Sequence, residues 1–238
     1  EIEYKDILSK SIYVTFQIID SKEKDLIKSH VVIWTTTPWT IPGNQAIAYG
    51  RDINYVLVDV KSLEKKKDFN KKLLIAKNLL EKVIDFCKFD QFNIIKELKG
   101  DLLKETIALH PLHKDGYKHH IPLLKGDFVE DSEGTGFVHI APSYGEDDFN
   151  LAKLHNIEIK DIIADNGVYK ENTPLFAGLH VFKVDNHVIE SLKNQNNLVG
   201  VRDYNHSYPH SWRSKKPVIY RTTPQWFISM EKNNLREK

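Results

Sequence analysis

The clearest signal along the chain is a two-residue alternation of apolar and polar positions. In SIYVTFQIID (Ser11 to Asp20) β-branched and aromatic residues recur in the manner of a strand. A charged turn, SKEKDLIKSH, leads to a second strand, VVIWTTT, stopped by Pro38 and Pro42, and a third, YVLVDVKSL, begins at Tyr55. Lys65 to Lys72 form a basic, solvated stretch. Leu73, Leu74, Leu79, Leu80, Val83, Ile84 and Cys87 then fall at helical spacing, which predicts one amphipathic helix. Between Ile94 and Val138 short apolar runs are broken by Gly and Pro, the pattern of a meandering, barrel-like sheet rather than of βαβ units. Gly145-Glu146-Asp147-Asp148 before FNLAKLH reads as a helix start with acidic residues in its first turn. Another helix follows Val184-Asp185 through VIESLKN. From about Val199 the chain turns to Tyr, His, Arg, Pro and Trp with little periodicity, which reads as an extended connection outside the main core. The expected fold is α/β with α+β character: a β-barrel-rich core of mixed strands with surrounding helices. It divides into a core over 1–198 and a connecting segment over 199–238.

Composition narrows the function classes. Lys and Arg total 34 against 33 for Asp and Glu, a formal net charge of +1 over 238 residues. This excludes a polybasic tail protein but leaves room for a local nucleic-acid surface. A single cysteine, Cys87, excludes an internal disulfide framework and any zinc site built on several thiolates. No apolar run approaches the roughly 18 residues of a membrane span, and EIEYKDILSK is unlike a signal peptide. A soluble, reduced, cytoplasmic protein is expected. Only 5 of the basic residues are Arg, and Arg202, Arg213, Arg221 and Arg236 lie in the last 37 residues. Arg is the better planar phosphate binder, so that segment is a candidate polyanion contact as well as ordinary surface charge.

Three segments carry candidate chemistry. In Trp34-Thr35-Thr36-Thr37-Pro38-Trp39-Thr40, followed by Pro42, Gly43 and Asn44, consecutive threonines put hydroxyls on both faces of a strand end while Pro38 stops the ladder. Such an end suits a polar ligand; it is equally an edge strand blunted by prolines. In Gly134-Thr135-Gly136-Phe137-Val138-His139-Ile140-Ala141-Pro142 two glycines allow a tight strand start, and His139 is either a structural hydrogen-bonding residue or a ligand contact. Asp147-Asp148 at a helix start is either a cap or a carboxylate held ionised by the helix N-terminus, able to hold an ammonium group. His110, His113, His119 and His120 lack the thiolate or carboxylate partners of a metal cluster, and no P-loop pattern is present.

WTTTPWTIPGNQAIA, GTGFVHIAPSYGEDDF and HSYPHSWRSKKPVIYRTTPQWFISM resemble signature stretches of the editing (CP1) domain of bacterial isoleucyl-tRNA synthetases, and the similarity extends over essentially the whole chain. Related valyl and leucyl enzymes carry TTRP where this chain has Thr35-Thr36-Thr37-Pro38. Neither the HIGH-type nor the KMSKS-type motif of the synthetic site occurs. The resemblance implies the class I synthetase Val/Ile/Leu editing-domain fold, with residues 199–238 returning toward a catalytic core and touching tRNA.

It also implies a function, post-transfer hydrolysis of Val-tRNA(Ile), with valyl-adenylate as a further candidate substrate and isoleucine excluded. One methylene is worth only ~1–3 kcal/mol, so a single synthetic site admits valine and a second, smaller sieve is needed; isoleucyl discrimination is itself the standard worked case. By resemblance, Asp148 anchors the α-ammonium, His139 lies against the aminoacyl side chain, and Thr35, Thr36 and Thr37 contact the aminoacyl group and terminal adenosine. Trp39, Asn44 and Gly136 fall on the substrate-binding side. The implied partners are the valine-charged 3′ end of tRNA(Ile) and the rest of a synthetase in cis, with no membrane and a monomeric isolated domain. ATP and Mg belong to the parent enzyme, and no cofactor is expected here. Some relatives carry a zinc-linked cysteine where this chain has Ser211 to Ser214, so no zinc is expected either. The alternative is a module that binds the aminoacylated 3′ end without turning it over.

Overall fold

A computed structural model describes residues 1–62 and 69–236. Its strands and helices run in the order β1 (Ile2–Asp20), β2 (His30–Thr35), β3 (Ala46–Tyr49), β4 (Asn54–Ser62), β5 (Phe69–Ala76), α1 (Leu80–Cys87), β6 (Gln91–Lys99), β7 (Ile107–Leu109), β8 (His120–Lys125), β9 (Phe137–Ile140), α2 (Glu146–Leu154), α3 (Asp185–Asn194) and β10 (Leu198–Ser211). The strands form one mixed sheet in the order β6-β4-β5-β2-β1-β7-β8-β3-β9, with β10 added on β1. Pairing is antiparallel except at β2–β5 and β3–β8. The mixed α/β fold expected from the sequence is therefore the one observed.

β1 organises the sheet. Its central residues Ser11 to Phe16 are all buried: Ile12, Val14 and Phe16 on one face, Ser11, Tyr13 and Thr15 on the other. Ile12 to Gln17 pair with β2, Ile18 and Asp20 with β7, and Ile2 to Val14 with β10, so one long strand passes from one part of the curled sheet to another. The main core collects Val14, Phe16, Ile33, Tyr55, Leu57 and Leu73, all fully buried. A smaller cluster of Ala46, Ala48, Val129, Ile140 and Leu151 joins β3 and β9 to α2. α3 buries Val188, Ile189 and Leu192 and packs against the turn that follows β2. Among the described residues no helix is long and apolar enough to cross a membrane.

Three expectations are corrected. Leu73 and Leu74 belong to β5, not to a helix: Leu73 lies opposite His30 of β2 and Val58 of β4. The helix begins only at Leu80, burying Leu80, Val83, Ile84 and Cys87, and ends where Lys88 takes a left-handed conformation. The basic stretch from Lys65 to Lys72 falls partly outside the described residues; its end, Asn70 to Lys72, is strand. Leu198–Ser211, expected to run outside the core, is a strand paired along its length with β1, and Val199 is buried. Its periodicity is present but aromatic: Tyr204, His206, Tyr208 and His210 pack ring against ring at successive separations of 5.9, 5.8 and 6.2 Å on one face.

Candidate functional site

β2 stops at Thr35 because Pro38 offers no N–H to a ladder, and the chain instead turns through a buried 3-10 segment, Pro38–Gly43. The threonines bond among themselves there. The Thr37 N–H donates to Thr35 Oγ1 at 3.1 Å, the two hydroxyls lie 3.1 Å apart, and Thr40 Oγ1 donates to the Thr37 carbonyl at 2.9 Å. Strand-end hydroxyls are thus fixed in place before any ligand arrives.

β9 supplies the neighbouring wall. Gly136, at φ +77°, sits so close to β5 that a Cβ would collide with Ala76, and its carbonyl accepts from the Tyr55 hydroxyl at 2.7 Å. That anchorage sets His139 facing inward. The Asn44 amide nitrogen lies 2.9 Å from the Ala46 carbonyl and 2.6 Å from His139 Nδ1, so it donates to both and Nδ1 is the acceptor. His139 Nε2–H then donates to Thr40 Oγ1 at 2.9 Å, whose own proton is committed to Thr37. The ring is buried with both nitrogens engaged, and desolvation lowers its pKa to about 3. It is a neutral imidazole without a free lone pair.

The third wall is the start of α2. Gly145 precedes the helix in extended conformation, and a Cβ there would strike Asp148 Oδ2, because the carboxylate folds back over the helix start. Asp148 Oδ1 accepts from the Ala141 N–H at 2.8 Å. The helix start is expected to favour the charge on this carboxylate; burial acts the other way. Burial raises Asp148 from 3.8 to about 6, outweighing the backbone hydrogen bonds that favour the charge, with neighbouring Asp147 adding to the rise. The carboxylate sits in a partly buried position with no cationic side chain among the residues that line the cavity.

These walls enclose a cavity of about 160 Å³. Trp34, Thr35, Thr37 and Thr40 form one side, Val138 and His139 the floor, and Ala141, Tyr144 and Asp148 the other side. A wider groove of about 390 Å³ adjoins it, sharing Trp34, Thr35 and Val138 and adding Thr36, Phe128, Glu130 and Glu133. Of the expected site residues, Thr35, Thr37, His139 and Asp148 meet in the cavity, and Thr36 lines the groove. Asn44 stands behind His139, fully buried. Trp39 is also behind the wall, edge-on to Tyr144 with ring centres 5.3 Å apart, and Gly136 acts through its backbone. Trp34, Thr40, Val138 and Tyr144 are not among the expected site residues, although each lies inside a motif segment. The histidine group has other employment: His110 Nε2 bonds the Ile41 carbonyl at 3.0 Å and His119 Nε2 the Asn44 carbonyl at 2.8 Å. Among the described residues no three His, Cys, Asp or Glu side chains are grouped to hold a metal. The C-terminal arginines are also engaged within the chain: Arg202 over the Phe86 ring and Arg213 over Trp212, Arg221 with Asp161 and Asp165, Arg236 with Glu231.

The chain falls in the class of aminoacyl-tRNA synthetase editing domains. The family model described as "Leucyl-tRNA synthetase, editing domain" matches residues 9–196, and the chain belongs to that family. The full-length curated relatives it resembles are isoleucine–tRNA ligases. The isoleucine–tRNA ligase of Pelagibacter ubique is 46% identical over 239 residues, covering 100% of this chain and 26% of that protein. That of Francisella philomiragia is 45% identical over 248 residues, covering 100% and 25%. The chain thus spans about a quarter of the length of the curated relatives it matches. Two solved structures share the fold. GlLeuRS-CP1 matches with a TM-score of 0.60 at 15% identity, covering 79% of this chain and 97% of that one. The Plasmodium falciparum cytosolic leucyl-tRNA synthetase editing domain matches with a TM-score of 0.60 at 11% identity, covering 81% and 99%.

Proposed function

We propose that the cavity hydrolyses the ester of valine on the 3′ end of tRNA(Ile), with valyl-adenylate as a further substrate, and rejects isoleucine. The observation that carries this reading is the division of labour in a cavity of about 160 Å³: one carboxylate, Asp148, and one immobile neutral wall, His139. Asp148 pairs with the α-ammonium, which supplies the counter-charge its buried position lacks. His139, held from both ring nitrogens, cannot swing aside, so a longer side chain meets a fixed surface in a densely packed wall. The adjoining groove offers the Trp34 ring and polar acceptors to the terminal nucleoside. The curated relatives are isoleucine–tRNA ligases about four times as long, which supports action in cis with the rest of such an enzyme.

Neither His139 nor Asp148 is available as a general base in this scheme, one lacking a lone pair and the other occupied by the ammonium. Water placed by the Thr35 and Thr37 hydroxyls and nearby backbone groups attacks the ester carbonyl carbon. The bond from that carbon to the ribose oxygen breaks, and the proton released by the water ends on the ribose hydroxyl. An aminoacyl ester is an activated bond, and orientation alone contributes several kcal/mol to such a step. Water, backbone and side-chain groups suffice for it, with no metal or nucleotide cofactor called on.

The test is deacylation of Val-tRNA(Ile) and Ile-tRNA(Ile) side by side by the intact protein. Valyl ester is expected to be lost selectively, and Asp148→Ala to abolish the loss while the fold survives. Wild-type rates in that variant would refute the anchoring role; tight binding of a valylated adenosine analogue without ester loss would leave a 3′-end binding module.

A further inference from the structure

The loop that carries one side of the cavity is tied from behind by the C-terminal segment. Tyr144 lines the cavity with its ring, while its hydroxyl points away, accepting from the Ile162 N–H at 2.9 Å and lying 3.4 Å from Asp161 Oδ1. Asp161 is in turn gripped by Arg221: Nη2 donates to Oδ2 at 2.9 Å, Nε lies 3.3 Å from each oxygen, and Nη1 reaches Asp165 at 2.6 Å. Beside this fork the Thr222 N–H donates to the Ser143 carbonyl at 2.9 Å, immediately before Tyr144. The Tyr144 N–H donates to the Ala141 carbonyl at 2.9 Å, and Ala141 N–H is the group that holds Asp148. A continuous set of bonds therefore runs from Arg221 to all three cavity residues of this wall, Tyr144, Ala141 and Asp148.

Two features separate the fork from an ordinary surface ion pair. The Arg221 and Asp161 side chains are only 18% and 23% exposed, and the guanidinium binds two carboxylates in a planar arrangement a lysine cannot copy. Burial pushes Asp161 up, yet the hydrogen bonds from Arg221 and Lys170 overcome it and hold the carboxyl below its ordinary value. Lys170 also donates to the Asp161 backbone carbonyl at 2.8 Å, so the Asp161 loop keeps one tie when Arg221 is removed.

We propose that Arg221, with Asp161, is a positioning residue for the cavity: it fixes Tyr144 and the 141–148 loop, and through them the place of Asp148. The inference rests on the reading of the cavity as an editing site. It means that a displacement of the C-terminal segment would reach the aminoacyl pocket through the Arg221 fork and the adjoining Thr222–Ser143 backbone bond.

Arg221→Ala, Tyr144→Phe and the double variant, made in the intact protein beside Asp148→Ala, test it with two readouts. In Arg221→Ala, backbone amide exchange over 141–148 is expected to rise at least tenfold while β4 and β5 stay protected. Turnover of the valyl ester should fall roughly 10–100-fold, the scale of loss for a misplaced site. The double variant should be no worse than the poorer single one, because both act through one contact. Unchanged exchange over 141–148 overturns the proposal, as do fully additive losses, or unchanged turnover in Arg221→Ala where Asp148→Ala is inactive. If Asp148→Ala itself keeps full turnover, the editing reading fails, and the exchange data, which need no substrate, still decide whether Arg221 holds the loop.

Discussion

The two sides of the cavity are built on opposite principles. The Thr35–Thr40 turn and His139 form a side in which hydrogen bonds close on protein partners, down to the Asn44 amide behind the imidazole. That side is neutral and held by protein hydrogen bonds, the buried Asn44 Oδ1 alone among its named groups lacking a partner, and in the proposed reading it selects by shape. The Tyr144–Asp148 side carries a carboxylate that burial has lifted to about 6, with no cationic side chain among the lining residues to match it. In the proposed reading it selects by charge. Separating the two tasks lets each be tuned alone: stiffness costs nothing in charge recognition, and the unmatched charge does not loosen the wall that measures size.

The largest expected effect comes from removing the charge. Asp148→Asn keeps the shape and the acceptor for Ala141 N–H, yet should cost valyl-ester turnover at least a hundredfold, as expected for the loss of a charge-assisted contact in a withdrawn site. It should also stabilise the protein. Because the native carboxyl is raised from 3.8 to about 6, the folded state binds the proton more tightly than the unfolded one. The stabilisation from protonation is complete below about pH 4 and is lost as pH rises toward about 6. At pH 7.5 the Asp148→Asn substitution should therefore add up to about 3 kcal/mol, visible as a rise in melting temperature of several degrees. A lower melting temperature would mean that the carboxylate stabilises the fold.

Next in size is the opposite wall. His139→Ala removes the surface that measures length, so Ile-tRNA(Ile) should become a substrate, with selectivity against it falling roughly 10–100-fold, the value of about one methylene. Competing deacylation of the two esters reads this directly; retained selectivity would place the size filter elsewhere. The same contrast appears in the pH profile. Valyl-ester kcat/KM should drop on the acid side of about 6 as Asp148 is protonated, with no histidine limb, because burial keeps His139 neutral down to about 3. The smallest effect is expected from Asn44→Ala, which leaves the cavity lining intact but frees His139 Nδ1. A cost of ~1–3 kcal/mol in stability, with a partial loss of selectivity and little change in valyl turnover, is what a supporting residue should show.

Much of this is legible in the sequence. α2 and α3 show themselves because acidic or polar starts precede helical spacing, and Thr35, Thr37, His139 and Asp148 because each sits in a motif. Misreadings arise where the deciding partner lies far along the chain. Leu73 and Leu74 have helical spacing with the residues after them, but β2 and β4 claim them for the sheet. Tyr204 to His210 carry a strand period written in polar aromatics, stabilised by β1 some two hundred residues earlier. The place of Asp148 in a first helical turn points to stabilising hydrogen bonds but says nothing of the burial that outweighs them. The arginine count suggests a polyanion, whereas Arg221 is spent on Asp161 and Asp165, 60 and 56 positions away in sequence.

The β1–β10 ladder has a bearing on how the molecule comes to be folded. Cavity-lining residues lie between Trp34 and Asp148, so their elements leave the ribosome well before β10 does. Ile2, by contrast, waits for Ser211 and Ile12 for Val201, pairings of very long sequence separation that close late and slowly. Before β10 is made, Ile2 to Ser11 of β1 have no other strand to pair with among the described residues. It is the later-made β10 that seals this edge, and the Arg221 segment behind it that braces the pocket. The residues that line the pocket are thus made before the strand that completes the sheet and the segment that braces it.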